Sequence, residues 1–260
     1  MRNDGKFSRP WLLISTLSSL SKIFRAPFRR FRRVLDRRAI SRVESLQDRF
    51  TLIYRRNSWG SKESFSGVGS TLTFTESIRN LLPVLFKQYK IGSVFDAPCG
   101  DFNWMKLVDL RGIHYVGGDI VEPLITSLQE NFSTSSITFK TFDITKDSFP
   151  KSDLVLNRDC LFHLSYFHIL GVLQNFLNSS SSYFLSTSHD NNGEFANFDI
   201  ASGDFRNIDL FISPFNFPKE VLFEIPEPGD RNIPSRKLYL WDREQVTIGH
   251  SNLERYLSGL

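Results

Sequence analysis

Three acids stand where ligand chemistry can use them. Asp96 closes the short apolar run Val94–Phe95 and opens the turn DAPCGDFNWM, which carries a second acid, Asp101. Asp119 ends HYVGGD, and Asp143 follows the apolar stretch before FDIT. A buried strand that breaks into a small-residue turn presents backbone amides at the carboxyl edge of a sheet, where doubly wound folds bind nucleotide-like ligands. An acid at the tip of a second strand can accept hydrogen bonds from both hydroxyls of a ribose. One after a third strand can accept from an adenine amino group. Each acid alone can equally be a strand terminator or a helix cap; three in register point to one ligand.

The G-x-G-x-x-G turn that admits a pyrophosphate is absent. In its place stand Pro98, which has no donor amide, and Asp101, whose charge repels a diphosphate and attracts an ammonium or a sulfonium. Candidate proton acceptors are Asp159 and His163, both in NRDCLFHLS, and His189, just past a predicted fifth strand. Each also has a plainer role: Asp159 as the ion-pair partner of Arg158 or a helix cap, His163 as a residue at a helix start, His189 as a surface-loop residue. In GDFRNIDL, Asp204, Arg206 and Asp209 can hold a polar acceptor, with Arg206 as a bidentate grip, or form a loop salt bridge. Cys99 and Cys160 are too few for a disulfide framework and lack metal-ligand spacing, so free thiols in a reduced compartment and no metal site are expected.

The elements that must position these residues follow from periodicity. Residues 44–57 read as a helix, and 59–70 as a glycine- and serine-rich loop. Residues 71–89 return to helical spacing through Ile78, Leu81, Leu82 and Leu85, with Thr75 or Ser77 as cap. From residue 91, strands at Ser93–Phe95, His114–Asp119, Ile137–Phe142, Leu154–Asn157 and Tyr183–Thr187 alternate with helices beginning at Phe102–Leu107 and spanning Glu122–Phe132 and Ser165–Leu177. Alternation of this kind predicts a parallel sheet with helices on both faces. Residues 221–227 and 237–243 flank a Pro/Gly-rich connection and predict an antiparallel hairpin, and the polar stretch 188–210 a long loop. The expected organisation is an arm (1–43), a helical cap segment (44–90) and a ligand-binding domain (91–260).

Charge separates the arm from the body. Residues 1–49 hold 13 Lys+Arg and 4 Asp+Glu, whereas the rest holds 19 and 24. The basic balance therefore belongs to the arm, and the body gains no case for nucleic acid. Trp11–Leu20 is too short an apolar run to span a membrane. Phe24, Phe28, Phe31, Val34 and Leu35 recur among arginines at spacings that, if helical, suit an anionic membrane surface. A solvated tail and an organelle-targeting peptide are the other readings. The expected location is the cytoplasm, with peripheral membrane contact through the arm as a variant.

DAPCGDFNWM, GGDIV, FDIT and DLVLNRDCLFHLS, in this order, resemble the class I S-adenosylmethionine-dependent methyltransferases. An upstream WGSKES…SGVGS…IR and a downstream GDFRNIDL…PFNFP…LYLW resemble a subgroup of them; the likeness covers residues about 50–243. It implies an α/β, Rossmann-like, seven-stranded, mostly parallel sheet whose last two strands form the antiparallel hairpin. It implies S-adenosyl-L-methionine as cofactor and methyl transfer to oxygen or nitrogen of a small-molecule or glycan-like acceptor. By the likeness, Asp96, Pro98 and Gly100 mark the cofactor turn, and Asp101 lies near the methionyl end. Asp119 with Ile120 takes the ribose position, and Asp143 with Ile144 the adenine edge. Asn157 and Arg158 open the segment facing cofactor and substrate. Trp59, Ser66, Gly67, Gly69 and Ser70 resemble a lid, with Arg79 reaching the methionyl carboxylate. The turn departs from the commoner, glycine-richer pattern at Pro98. Two other functions stay open: a non-catalytic binding module of the same fold, and an NAD-dependent oxidoreductase, which shares the strand-end acid.

Overall fold

Apolar residues that alternate between two partners decide this architecture. In a strand, successive side chains point to opposite faces. Val94, Leu154, Leu156, Leu185, Leu238 and Leu240 belong to one buried cluster; Phe95, Val155, Phe184, Tyr239 and Trp241 belong to another. Both faces of the sheet must therefore be covered. The computed structural model describes residues 43–59, 61–227, 229 and 235–259, and the expectations for the arm lie outside them.

The seven strands are β1 (Ser93–Asp96), β2 (His114–Asp119), β3 (Ile137–Thr141), β4 (Leu154–Asn157), β5 (Tyr183–His189), β6 (Phe223–Glu227) and β7 (Arg236–Asp242), in the order β3-β2-β1-β4-β5-β7-β6. The first five are parallel, and β7 runs antiparallel to both β5 and β6. This is the expected mostly parallel sheet with a C-terminal antiparallel pair. Five helices accompany it among the described residues: α1 (Leu46–Arg55), α2 (Glu76–Gln88), α3 (Glu122–Phe132), α4 (Tyr166–Asn178) and α5 (Arg243–Ser258). Helices α2 and α3 contribute Ile78, Leu82, Leu85, Leu124 and Leu128 to one cluster; α4 and α5 contribute Ile169, Val172, Leu173, Val246 and Leu253 to the other.

Three local expectations need correction. No α-helix follows β1: Phe102 adopts a left-handed backbone (φ 57°), and only a short 3-10 turn forms at Met105–Leu107. The Phe102 ring is drawn inward against Tyr115 (5.3 Å) and Phe139 (5.1 Å), so the chain turns into the core where a helix would continue. Thr75 starts α2 without capping it, because its hydroxyl donates to the Thr71 carbonyl (2.9 Å). Helix α5 was not expected, although Asp242 and Gln245 form a capping box ahead of its buried Val246 and Leu253.

Helix α4 seats the turn that follows β3. Asn175 Nδ2 donates to the Ile144 carbonyl (3.0 Å), and a Cβ at Gly171 would lie 2.5 Å from the Thr145 carbonyl oxygen. Alanine favours helix interiors over glycine by about 1 kcal/mol. Gly171→Ala is nonetheless expected to destabilise by about 1–3 kcal/mol, since the atom in the way is backbone. A lowered Tm in scanning calorimetry is the expected result; an unchanged or raised Tm contradicts this packing.

Candidate active site

Parallel pairing brings the carboxyl ends of β1, β2 and β3 to one edge, and with them Asp96, Asp119 and Asp143. All three are buried, and all three border one cavity of about 310 Å³. That lies at the lower end of the usual range for ligand sites, about 300–1,000 Å³. The Asp96 carboxylate accepts from Tyr115 Oη (2.7 Å). Burial raises its pKa to about 7, with the Tyr115 hydrogen bond and Arg158 opposing. Asp119 accepts from the Gly100 (3.1 Å) and Val121 (3.0 Å) amides, and burial raises it to about 6. Asp143 accepts from the Thr145 amide (3.0 Å) and hydroxyl (2.7 Å) and pairs with Lys146 (3.1 Å). Pro98, Gly100, Ile120 and Ile144 complete this wall.

A loop from Ser61 to Ser70 covers the cavity, tied down by Asp101. Ser64 Oγ (3.0 Å), the Phe65 amide (2.7 Å) and Ser66 Oγ (3.3 Å) all donate to the Asp101 carboxylate, and the Asp101 amide donates back to Ser66 Oγ (3.0 Å). The close approach requires Gly100, whose φ is +56° and whose Cβ would fall 2.2 Å from Ser66 Oγ. Asp101 thus fastens the cover. Ser66, Gly67, Gly69, Ser70 and Trp59 all border the cavity.

Behind the cavity lies a buried ionic quartet. Arg158 pairs with Glu227 and, at 3.4 Å, with Asp159; Arg236 pairs with Asp159 (2.9 Å) and Glu227 (3.3 Å). Arg158 Nη2 also donates to the Gly69 carbonyl of the cover (2.6 Å). Burial works to raise the Asp159 carboxyl, but Arg158 and Arg236 outweigh it and hold the group below its usual value. Burial raises Glu227. Asp159 sits in a left-handed backbone (φ 52°), its amide donating to Thr187 Oγ1 (3.0 Å). Arg158, Asp159 and Arg236 border the cavity.

The two candidate histidines differ in whether they reach the cavity. His163 Nδ1 lies 2.8 Å from the Asp204 carbonyl oxygen. A carbonyl only accepts, so Nδ1 carries the hydrogen and Nε2 keeps its lone pair. Burial lowers the pKa of His163, so the ring is neutral at pH 7. It borders the cavity among Trp59 (5.7 Å), Phe162 (4.7 Å) and Phe205 (5.8 Å). His189 does not border the cavity. Its Nδ1 lies 3.2 Å from the Ile208 amide nitrogen and 3.3 Å from the Ile208 carbonyl oxygen, its Nε2 is buried without a partner, and burial with Arg236 pushes it down to about 4. It stands as part of the scaffold behind Phe162 (5.2 Å).

Other expected residues also stand away from the cavity. Asn157 staples strand tips, donating to the Ala97 carbonyl (2.8 Å) and accepting from Ser186 Oγ (3.2 Å). Arg79 donates to the Leu72 carbonyl (2.9 Å) at the foot of the cover. Arg206 is buried against the Tyr166 ring (5.1 Å) and donates to the Leu164 carbonyl (2.7 Å); burial lowers it to about 10. Asp209 accepts from the Phe211 amide (2.8 Å). Of GDFRNIDL, Asp204 reaches the site only through the carbonyl that orients His163, and its side chain is exposed. Phe162, Phe205, Trp104, Arg236 and Glu227 belong to the site without having been expected; an acid and an arginine on opposite sides of the hairpin loop were the available signal for the last two. Cys99 and Cys160 are buried thiols, with Cys160 pushed up to about 12 by burial.

No protein-family model and no curated protein sequence matches the chain. Solved structures do match. The 1,6-didemethyltoxoflavin N1-methyltransferase of Burkholderia thailandensis superposes with a TM-score of 0.53 at 15% identity, over 75% of this chain and 85% of that one. The N-methyltransferase NodS of Bradyrhizobium japonicum, with S-adenosylhomocysteine, gives 0.53 at 12% identity, over 73% and 97%. Human N-acetylserotonin methyltransferase gives 0.51 at 14% identity, over 75% of this chain and 58% of that protein's length. The chain thus has the fold of the class I S-adenosylmethionine-dependent methyltransferases.

Carboxyl groups with raised native pKa values favour folding below their unfolded values and lose that contribution as pH rises through the native ones. Asp96, at about 7, therefore weakens the unliganded fold between about pH 4 and pH 7. Asp96→Asn is expected to raise Tm relative to wild type at pH 8 and to change it little at pH 4. Thermal unfolding across this range tests the assignment, and parallel curves for the two proteins contradict it.

Proposed function

We propose that this chain is an S-adenosylmethionine-dependent methyltransferase acting on oxygen or nitrogen of a small molecule or glycan-like acceptor. The observation that carries the reading is the meeting of Asp96, Asp119 and Asp143 at one cavity that also holds a neutral histidine with a free basic nitrogen. The methyltransferase fold supports it, as do neighbours crystallised with S-adenosylhomocysteine. The Burkholderia neighbour also carries 1,6-didemethyltoxoflavin, a small molecule.

The donor set fits this cofactor. Asp119, anchored through both oxygens by backbone amides, offers its remaining lone pairs to two ribose hydroxyls. The turn Asp143–Ile144, seated by α4, meets an adenine edge. Asp101 is engaged with the cover, so the ammonium falls to Asp96, whose buried charge a cation relieves. When bound, the cofactor supplies an activated methyl group on sulfur. The residues of this chain orient it, exclude water beneath the Ser61–Ser70 cover, and receive the acceptor proton at His163 Nε2. Asp204, through its carbonyl, keeps that nitrogen basic.

Asp119→Ala is expected to weaken S-adenosylhomocysteine binding by at least about a hundredfold, from two lost charge-assisted hydrogen bonds. Calorimetric titration measures this, with circular dichroism confirming the fold. Undiminished affinity refutes the ribose assignment. His163→Gln is expected to leave that affinity unchanged while slowing transfer of labelled methyl by about 10²–10⁴-fold. In wild type, turnover is lost as pH falls through a pKa below the ordinary histidine value, and the variant lacks this limb. A variant that keeps both rate and profile removes His163 from the mechanism.

A further inference from the structure

We propose that the acceptor is an uncharged hydroxyl compound built on a planar ring, held with its face against Trp59, Phe162 and Phe205 and its hydroxyl at His163. The proposal deepens the methyl-transfer reading and rests on it. Charge carries the first part. Among the described residues the cavity wall holds five aspartates, Asp96, Asp101, Asp119, Asp143 and Asp159, against the guanidinium groups of Arg158 and Arg236. Both arginines are engaged by Glu227 and Asp159. A carboxylate or phosphate on the acceptor would find no free guanidinium to receive it among carboxylates. A cationic acceptor fares little better at this end. The carboxylate beside the histidine, Asp159, is already answered by Arg158 at 3.4 Å and Arg236 at 2.9 Å.

Shape and polarity carry the second part. Trp59, Phe162, His163 and Phe205 form one contiguous ring cluster, with centroids 4.7–5.8 Å apart. Phe205 borders the cavity yet is 45% exposed, and Phe65 and Val68 on the same cavity are 52% and 45% exposed. This is unburied apolar surface on the cavity wall, with Phe205 5.8 Å from the His163 ring, and a flat ring would cover it. A sugar would turn several hydroxyls against the ring faces of Phe162 and Phe205, which hold no acceptor for them, and each unpaired one is costly. In the transfer, the acceptor oxygen forms a bond to the methyl carbon as the carbon–sulfur bond breaks, its electron pair remaining on sulfur. The hydroxyl proton passes to His163 Nε2 and then to water.

Three phenols with similar rings and different charge separate the alternatives: 4-ethylphenol (neutral), tyramine (cationic) and 4-hydroxyphenylacetate (anionic). Each is titrated calorimetrically into the full chain saturated with S-adenosylhomocysteine. The expected result is 4-ethylphenol affinity at least about tenfold above both charged analogues. Phe205→Ala, at an exposed position that the fold tolerates, is expected to lower 4-ethylphenol affinity about tenfold and leave S-adenosylhomocysteine binding unchanged. Equal or tighter binding of either charged phenol, no binding of 4-ethylphenol at millimolar concentration, or an unaltered Phe205→Ala complex overturns the proposal. Failure of S-adenosylhomocysteine itself to bind overturns the underlying methyl-transfer reading instead.

Discussion

Removing carboxylates from water at the tips of parallel strands is the constraint on which this molecule is built. Asp96 and Asp119 are 2% and 8% exposed, and burial drives both towards the neutral form. Apolar groups there would pack without that penalty. The surroundings soften the penalty without abolishing it: Tyr115 donates to Asp96, and two backbone amides donate to Asp119. The unliganded site is therefore held in a state that a cation and a pair of hydroxyl donors would improve. Stability given up in the empty fold becomes affinity for a ligand of that kind.

The rest of the site is arranged around keeping that edge dry. The cover over residues 61–70 contributes little buried apolar mass of its own and is held by polar bonds to Asp101 and Arg158. Arg158 belongs to the quartet with Glu227 and Arg236, so the cover is tied to the antiparallel hairpin at the far side of β4 and β5. Breaking a buried ion pair by removing one partner costs about 3–5 kcal/mol, since the other charge is left uncompensated. The hairpin thus acts on the site through electrostatics, although β6 stands at the opposite edge of the sheet from β3.

How much of this was legible in the sequence depended on the kind of signal. Strands β2 and β4 and helix α3 were read to the residue, because apolar runs bounded by Asp, Pro or Asn leave little choice of register. The strand-tip acids followed from those boundaries. The helix expected after β1 failed because Phe102 reads as a helix residue by spacing but is pulled into the core by Tyr115 and Phe139, a tertiary contact invisible to local periodicity. Arg206, Asp209 and His189 looked like site residues because polar residues in a long loop usually face solvent or ligand. Here the loop folds back over α4 and the β5 end, and these side chains meet backbone groups of Leu164, Phe211 and Ile208. Glu227 and Arg236 were hidden by sequence distance from Arg158, since no local pattern announces a quartet closed across three strands.

The comparison of His163 with His189 illustrates how residue type alone underdetermines role. One follows β4 and the other ends β5, both touch Phe162, and both have pKa values lowered by burial. What divides them is that His163 borders the cavity and His189 does not. A backbone carbonyl forces Nδ1 of His163 to donate, leaving Nε2 as a base. Nδ1 of His189 meets both the amide and the carbonyl of Ile208, and its Nε2 is buried with no partner away from the cavity. Protonating His189 would place a second hydrogen on a ring already shut from water, beside Arg236, which is why its pKa lies near 4. The loop 188–210 thus takes part in both environments through its main chain, the Asp204 carbonyl orienting His163 and the Ile208 backbone holding His189.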